Sequence, residues 1–338
     1  MLRFITLQVA ILLSAISQGT VADEFAESGF GALEQHDHQP ILVPSRPVIE
    51  RIPISVIRPV DIKVAPDGAI YVADSDSESV FRMLPDRTVE LAATGLSGLC
   101  RLSIDDAGTT LALTATAQPS SATQDSRDRQ ATADTRGTIV QLTRSGVFVT
   151  LHSIPFRPVG FCRSTTGKIA VVGGASCRLG IFDSLGDFRE LPGLPEPAMD
   201  VALNGADQFY VLLQSGRVVR IASNDVLQTV GFAPAASSRL YRMPEGRIAV
   251  LSFDQSRDVI REITMHADES GPVLAAIPEG TSAVAFDRLG NMSLCNPNLR
   301  AVTRVTSTFM VDCPHCEKPI KMILSPNRLH EPQKSRSF

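Results

Sequence analysis

All-β, in six blades set around a central channel: this is the architecture that the 338-residue sequence predicts. Two observations carry it. First, six times a short apolar strand runs into a tight turn and out into a second strand, with the turn position at Gly68, Gly108, Gly167, Asp207, Gly246 and Gly290. The steps are 40, 59, 40, 39 and 44 residues, and a period near 40 with about four strands per unit is that of a propeller blade. Second, helical spacing of apolar residues is sustained only near the N-terminus, while β-branched runs bounded by Gly, Pro, Asp and Asn fill the rest.

Taken in order, Met1-Leu2-Arg3 gives a short basic start, Phe4 to Ile16 is mostly apolar, and Thr20-Val21-Ala22 offers small residues before Asp23. This is the pattern of a secretory signal over residues 1–22, its apolar run of 13 residues falling short of the ~20 that span a bilayer. Residues 23–40 mix acids, Gly and His without a period and read as a disordered spacer. Residues 41–308 carry the propeller, and 309–338 form a tail. No segment after the signal is apolar enough to cross a membrane, so the mature chain is expected to be a secreted or periplasmic monomer.

Within the propeller, the inner strands run into the six turns and the second strands leave them, as in Ile70-Tyr71-Val72 or Phe209-Tyr210-Val211-Leu212. Third strands follow at Val80-Phe81, Ile139-Val140, Ile181-Phe182, Val218-Val219, Val259-Ile260 and Val302 with Val305. Five outer strands come next, from Val89-Glu90-Leu91 to Val273-Leu274. The sixth unit shows no equally clear one. Ile52, however, precedes Asp61 by nine residues, as Leu191 precedes Asp200 and Val230 precedes Arg239. Residues 47–53 are therefore expected to supply the last outer strand and close the ring, which removes open edges. Phe309-Met310-Val311 is the alternative. The long second step comes from Ala115 to Arg136, a Ser/Thr/Ala/Gln/Asp stretch that reads as a loop on the face of the blade-to-blade connections, called the rim below.

Composition narrows the function classes. A net charge of −4 with no basic block gives no footprint for nucleic acid. Absence of Trp, with only three Tyr, weakens a carbohydrate-stacking role.

Blade one, PVDIKVAPDGAIYVADSDSESVFRM over residues 59–83, resembles an NHL repeat: a Pro-led strand, a Pro-Asp-Gly turn, then Tyr-Val-Ala-Asp and a polar corner. The resemblance extends over roughly residues 55–305 and implies a six-bladed propeller, a ring that hosts enzymes, receptors and scaffolds alike. Blade four departs from it with Asp207 at the turn, and blade six with Leu294-Cys295-Asn296-Pro297. Gluconolactonase and regucalcin-like propellers hold a divalent cation over the channel, but their Glu-Gly-Pro and Asn-Gly-Leu or Asn-Gly-Ile segments are absent; Asn204-Gly205-Ala206 comes nearest. Peptidyl-amidating lyases bind zinc through histidines near the channel. The six histidines here, His36, His38, His152, His266, His315 and His330, miss every predicted inner strand.

Seven residues before each turn stand Asp61, Arg101, Gly160, Asp200, Arg239 and Ala283, a ring of acid, base, small, acid, base, small at the channel mouth. Neighbouring blades would pair Asp61 with Arg101 and Asp200 with Arg239. Such a ring is either a set of inter-blade salt bridges, each contributing about 0–1 kcal/mol if solvated, or a mouth that orients a zwitterionic or anionic ligand. Asp74, Asp76, Asp254 and Asn296 end second strands on the rim. Asp74 is expected to bond corner backbone, with a calcium role as the other reading.

Cys313-Pro314-His315-Cys316 matches the active-site tetrad of thioredoxin-related thiol oxidases, though no βαβ pattern precedes it. Cys313 and Cys316 are candidates for a disulfide or for zinc, the latter needing a second ligand pair such as His36 and His38. Cys100, Cys162, Cys177 and Cys295 fall at non-equivalent blade positions, and pairing among them is not indicated. No cofactor is expected, with a divalent cation, calcium or zinc, left open. The role that follows is a non-catalytic binding or scaffolding propeller for a protein, peptide or glycan at the rim, with Asp61, Arg101, Asp200, Arg239, Asp74 and Asp254 as candidate ligand-binding residues. The alternative is a metal-dependent lactonase or hydrolase.

Overall fold

A computed structural model describes residues 41–44, 48–117, 135–222, 224–234, 237–243, 246–254, 257–262, 273–288, 290–306, 309–312 and 320–322. The chain separates into two compact units, one of residues 51–287 and 292–303, the other of residues 1–50, 288–291 and 304–338. Among the described residues every regular element is a strand. Six antiparallel four-stranded sheets form a six-bladed β-propeller. Blade one runs Pro59–Val64, Ile70–Asp74, Ser79–Met83 and Val89–Ala93, each strand beside its predecessor. The inner strands of the other five are Leu99–Ile104, Pro158–Arg163, Ala198–Leu203, Arg239–Arg242 and Ala283–Phe286.

The turn chemistry matches the sequence repeat. All six turn residues have positive φ, from 59° at Asp207 to 87° at Gly167. In five of them the turn closes by a backbone bond to the residue three earlier, as from Gly68 N to Ala65 O at 2.9 Å. Aspartate is among the few residues besides glycine that adopt this left-handed conformation. Asp207 Oδ1 accepts from Thr165 N at 2.9 Å, joining the turns of blades three and four.

The core lies between blades rather than inside one. Side chains alternate along each strand, so a blade buries one face against the preceding blade and the other against the next. Ile62, Ile70 and Val72 of blade one pack with Ala283, Ala285, Cys295 and Val302 of blade six. Ala73, Val80 and Ala93 face the other way, onto Leu99, Leu102 and Ala112 of blade two. Three further seams continue the pattern between blades two and three, three and four, and four and five.

Val48–Arg51 lies outermost in the sixth sheet, beside Ala301–Thr306, so an N-terminal strand completes the last blade. Ile52 continues the junction, its N–H donating to Val302 O at 2.8 Å with its side chain buried. Phe309–Asp312 does not take that place. In the second unit it pairs with Ile41–Pro44 on one side and Ile320–Met322 on the other, forming a small antiparallel sheet.

The predicted loop at 115–136 is shorter than expected. Thr110–Ala117 and Thr135–Leu142 are both eight residues long and stay paired as far as Ala117 and Thr135, the alternating Thr and Ala extending the strands past the apolar core. Residues 118–134 lie outside the described residues.

Candidate functional site at the channel

The ring positions are brought to the channel by a shared backbone device. In blades one to four the inner strand carries a register shift just before the ring residue: between Pro59 and Asp61, Leu99 and Arg101, Pro158 and Gly160, and Ala198 and Asp200. A bulge of this kind bends the strand and re-aims the next side chain. Asp61, Arg101 and Asp200 follow such a bulge, and Arg239, whose strand pairs without one, meets them at the axis.

They do not pair as neighbours. Asp61 of blade one pairs with Arg239 of blade five, Nη1 to Oδ1 at 3.3 Å, and Arg101 of blade two lies 3.9 Å from Asp200 of blade four. The expected partners fail because each aspartate is already used by the next blade's backbone. Asp61 Oδ2 accepts from Leu102 N at 2.8 Å and Asp200 Oδ2 from Leu240 N at 3.1 Å. With those oxygens turned sideways into the seams, the long arginines reach across the channel. The small positions serve the same geometry. A Cβ on Gly160 would stand 2.5 Å from Asp200 Oδ1, so only glycine admits that carboxylate.

Sequence reasoning missed the residues two positions further on, which share the ring's face by strand alternation. Lys63 Nζ lies 3.3 Å from Asp61 Oδ1 and sits over the Tyr241 ring at 6.0 Å. Tyr241 Oη accepts from Val284 N at 3.2 Å, and Ser103 Oγ accepts from Arg163 N at 3.4 Å. The repeat alignment, read with a period of two, would have found them. A looser pair at the inner turns, Arg242 with Asp106 at 3.8 Å, joins the opposite blades five and two.

Electrostatics separate the two arginines. Burial pushes the Asp61 carboxyl up, but Lys63, Arg239, Arg101 and the Leu102 amide together hold it below its ordinary value. Burial works most strongly against the Arg239 charge too, but Asp61, Tyr241, Asp200 and Cys100 together outweigh it, leaving the group raised. Arg101 is lowered, first by burial and then by the Arg239 charge, which Asp200 and Asp61 do not offset. Cys100 beside it is pushed up by burial to about 11, and Cys162 and Cys295 rise for the same reason. A raised thiol stays protonated at neutral pH, the less nucleophilic form. All four described cysteines are free.

On the rim, Asp74 is fully buried and bonds backbone. Its oxygens accept from Ile57 N at 2.7 Å, Arg58 N at 2.8 Å and Asp76 N at 3.3 Å, tying the blade-one corner to the segment that leads into the blade. The same tie recurs with other residues. Glu196 accepts from Ser215 N, Asp258 from Gly280 N and Thr281 N, and Asn296 donates to Glu279 O. Asp254 ends its strand opposite Arg257, and its side chain is outside those described. Cys313 and Cys316 lie outside the described residues, as do His36 and His38.

A cation over the channel would need several free oxygen or nitrogen ligands. Among the described residues no group of three or more His, Cys, Asp and Glu is placed to hold one. The axial aspartates already accept bonds from arginine, lysine or backbone N–H, so this donor set does not suit a divalent ion. Also among the described residues, no helix is long and apolar enough to cross a membrane.

No family model and no curated protein matches the sequence. Solved structures do match in fold. A virginiamycin B lyase from Staphylococcus aureus superposes with a TM-score of 0.54 at 12% identity, covering 79% of this chain and 99% of that one. A gluconolactonase from Xanthomonas campestris gives 0.54 at 11% identity, covering 80% and 96%. A streptogramin B lyase gives 0.55 at 12%, covering 78% and 98%. At such identities the likeness is one of architecture: this chain shares the six-bladed propeller of these proteins.

Proposed function

We propose that this chain, exported behind residues 1–22, is a non-catalytic binding or scaffolding propeller that engages a protein, peptide or glycan at its rim. One observation carries the reading. The acids that converge on the axis are consumed internally, Asp61 by Arg239, Lys63 and the Leu102 amide, Asp200 by the Leu240 amide with Arg101 nearby. An aspartate that caps a neighbouring blade holds the ring together and has little capacity left for a metal or for proton transfer. The NHL-like residues of blade one suit a scaffold of this kind, and Asp74 serves its corner.

Metal analysis of the purified protein tests the reading, followed by calorimetric titration with Ca²⁺, Mg²⁺ and Zn²⁺. The expected result is no stoichiometric ion at the axis. One tightly held divalent ion per chain, lost in Asp61→Asn or Asp200→Asn, would replace the scaffold by the metal-dependent lactonase or hydrolase. Zinc lost only with Cys313 and Cys316 would leave the scaffold in place.

A further inference from the structure

The axis holds three cations, Lys63, Arg101 and Arg239, against two carboxylates, Asp61 and Asp200, and the surplus is not shared evenly. Asp61 Oδ1 takes donors from Ile62 N at 3.0 Å, Lys63 Nζ at 3.3 Å and Arg239 Nη1 at 3.3 Å. Arg239 also donates from Nη2 to Val60 O at 2.6 Å. Among the described residues Arg101 makes a single hydrogen bond, Nη1 to Cys100 O at 3.1 Å. Its Nε is buried without a partner, and Asp200 Oδ1 stands at 3.9 Å, beyond hydrogen-bond reach. A guanidinium offers five N–H donors in a planar fork, and leaving the buried Nε unmet is costly unless an acceptor arrives. Arg101 is also the more accessible of the two arginines, its side chain 17% exposed against 9% for Arg239.

We propose that Arg101 is a ligand-binding residue whose guanidinium receives the carboxylate of a ligand in the channel mouth, with Lys63 and Arg239 supplying the balancing positive charge. The two oxygens of a carboxylate match the fork that Asp200 leaves unfilled, and the added negative charge cancels the excess at the axis. The proximity of Arg239, which lowers Arg101, is relieved by the same anion. This deepens the rim-binding reading by naming the chemical group that reaches the axis: a carboxylate, from a small organic acid or from a peptide C-terminus.

The test is calorimetry on the full chain at constant ionic strength with sodium acetate, N-acetylglycine, neutral N-acetylglycinamide and inorganic phosphate. N-acetylglycine is expected to bind one per chain and the amide to stay silent; acetate binding equally well assigns the site to any small acid, and weaker acetate binding to a peptide terminus. Arg101→Met should lower the carboxylate affinity at least tenfold, and Arg101→Lys, which keeps the charge and loses the fork, should fall between. Absence of binding by both carboxylates to the native chain overturns the proposal, as does an affinity unchanged in Arg101→Met or binding of phosphate alone. The metal analysis reads independently: a silent carboxylate titration on a metal-free protein removes this site and leaves the rim reading standing.

Discussion

At the residue scale, the ring shows which part of a site a repeat alignment can expose. The six ring positions were legible because a turn with positive φ marks each blade and the count back from it is fixed at seven. The pairing was not legible, because it depends on backbone amides that a sequence does not display. Asp61 and Asp200 satisfy the next blade's N–H groups first, and only their remaining oxygens are open to a charge. Asp207 gives a direct test of such local reasoning. It sits at φ 59° and bonds Thr165 N across a blade seam. Alanine there would keep the left-handed backbone penalty and lose the bond, each about 1 kcal/mol. Glycine would lose the bond and shed the penalty. Urea midpoints should therefore rank native and Asp207→Gly close together, with Asp207→Ala lower by about 1 kcal/mol. Equal losses for alanine and glycine would mean that the left-handed turn costs this chain nothing.

At the element scale, what made the blades readable is that successive side chains of a strand enter the two seams on either side, so the second strands are short continuous apolar runs such as Ile169–Gly173 and Phe209–Leu213. The spacing argument also placed the closing strand, because the distance from an outer strand to the next inner one is set by the connection over the rim. The small sheet of Ile41–Pro44, Phe309–Asp312 and Ile320–Met322 was not readable. It joins segments far apart in sequence, with no repeat to align them. Closure leads to a contrast between two truncations. Removing residues 1–47 leaves Val48–Arg51 and the Ile52 bond to Val302; removing 1–53 takes the outer strand away and bares the edge of Ala301–Thr306. An unpaired edge strand invites association and loses packing. The longer truncation should have a distinctly lower melting temperature than the shorter one and elute partly as aggregate in size-exclusion chromatography. Matching melting temperatures would show that the ring does not depend on this strand.

At the scale of the whole molecule, a propeller is a chain of neighbour contacts closed on itself, and among the described residues five clusters each span two blades. The axial charges add a different kind of link, since Asp61–Arg239 and Arg101–Asp200 join blades that are not neighbours. The two links are not equal in strength. Asp61 is fully buried and Arg239 nearly so, with a hydrogen bond between them, whereas Arg101 is partly exposed and beyond hydrogen-bond distance of Asp200. Removing one partner of a buried, hydrogen-bonded pair strands the other charge, and the loss is about 3–5 kcal/mol. Lys63 remains beside Asp61 and pulls the expected loss toward the low end, so Arg239→Met should cost about 3 kcal/mol in urea unfolding. Arg101→Met should fall within about 1 kcal/mol of the native chain, because Arg101 is partly exposed and stands beyond hydrogen-bond reach of Asp200, so an apolar side chain of similar length gives up little. A double-mutant cycle on Asp61 and Arg239 should then return a coupling of about 1–3 kcal/mol, and the same cycle on Arg101 and Asp200 a value near zero. Equal couplings would contradict the asymmetry, and with it the view that one arginine locks the ring while the other is left free to hold a ligand.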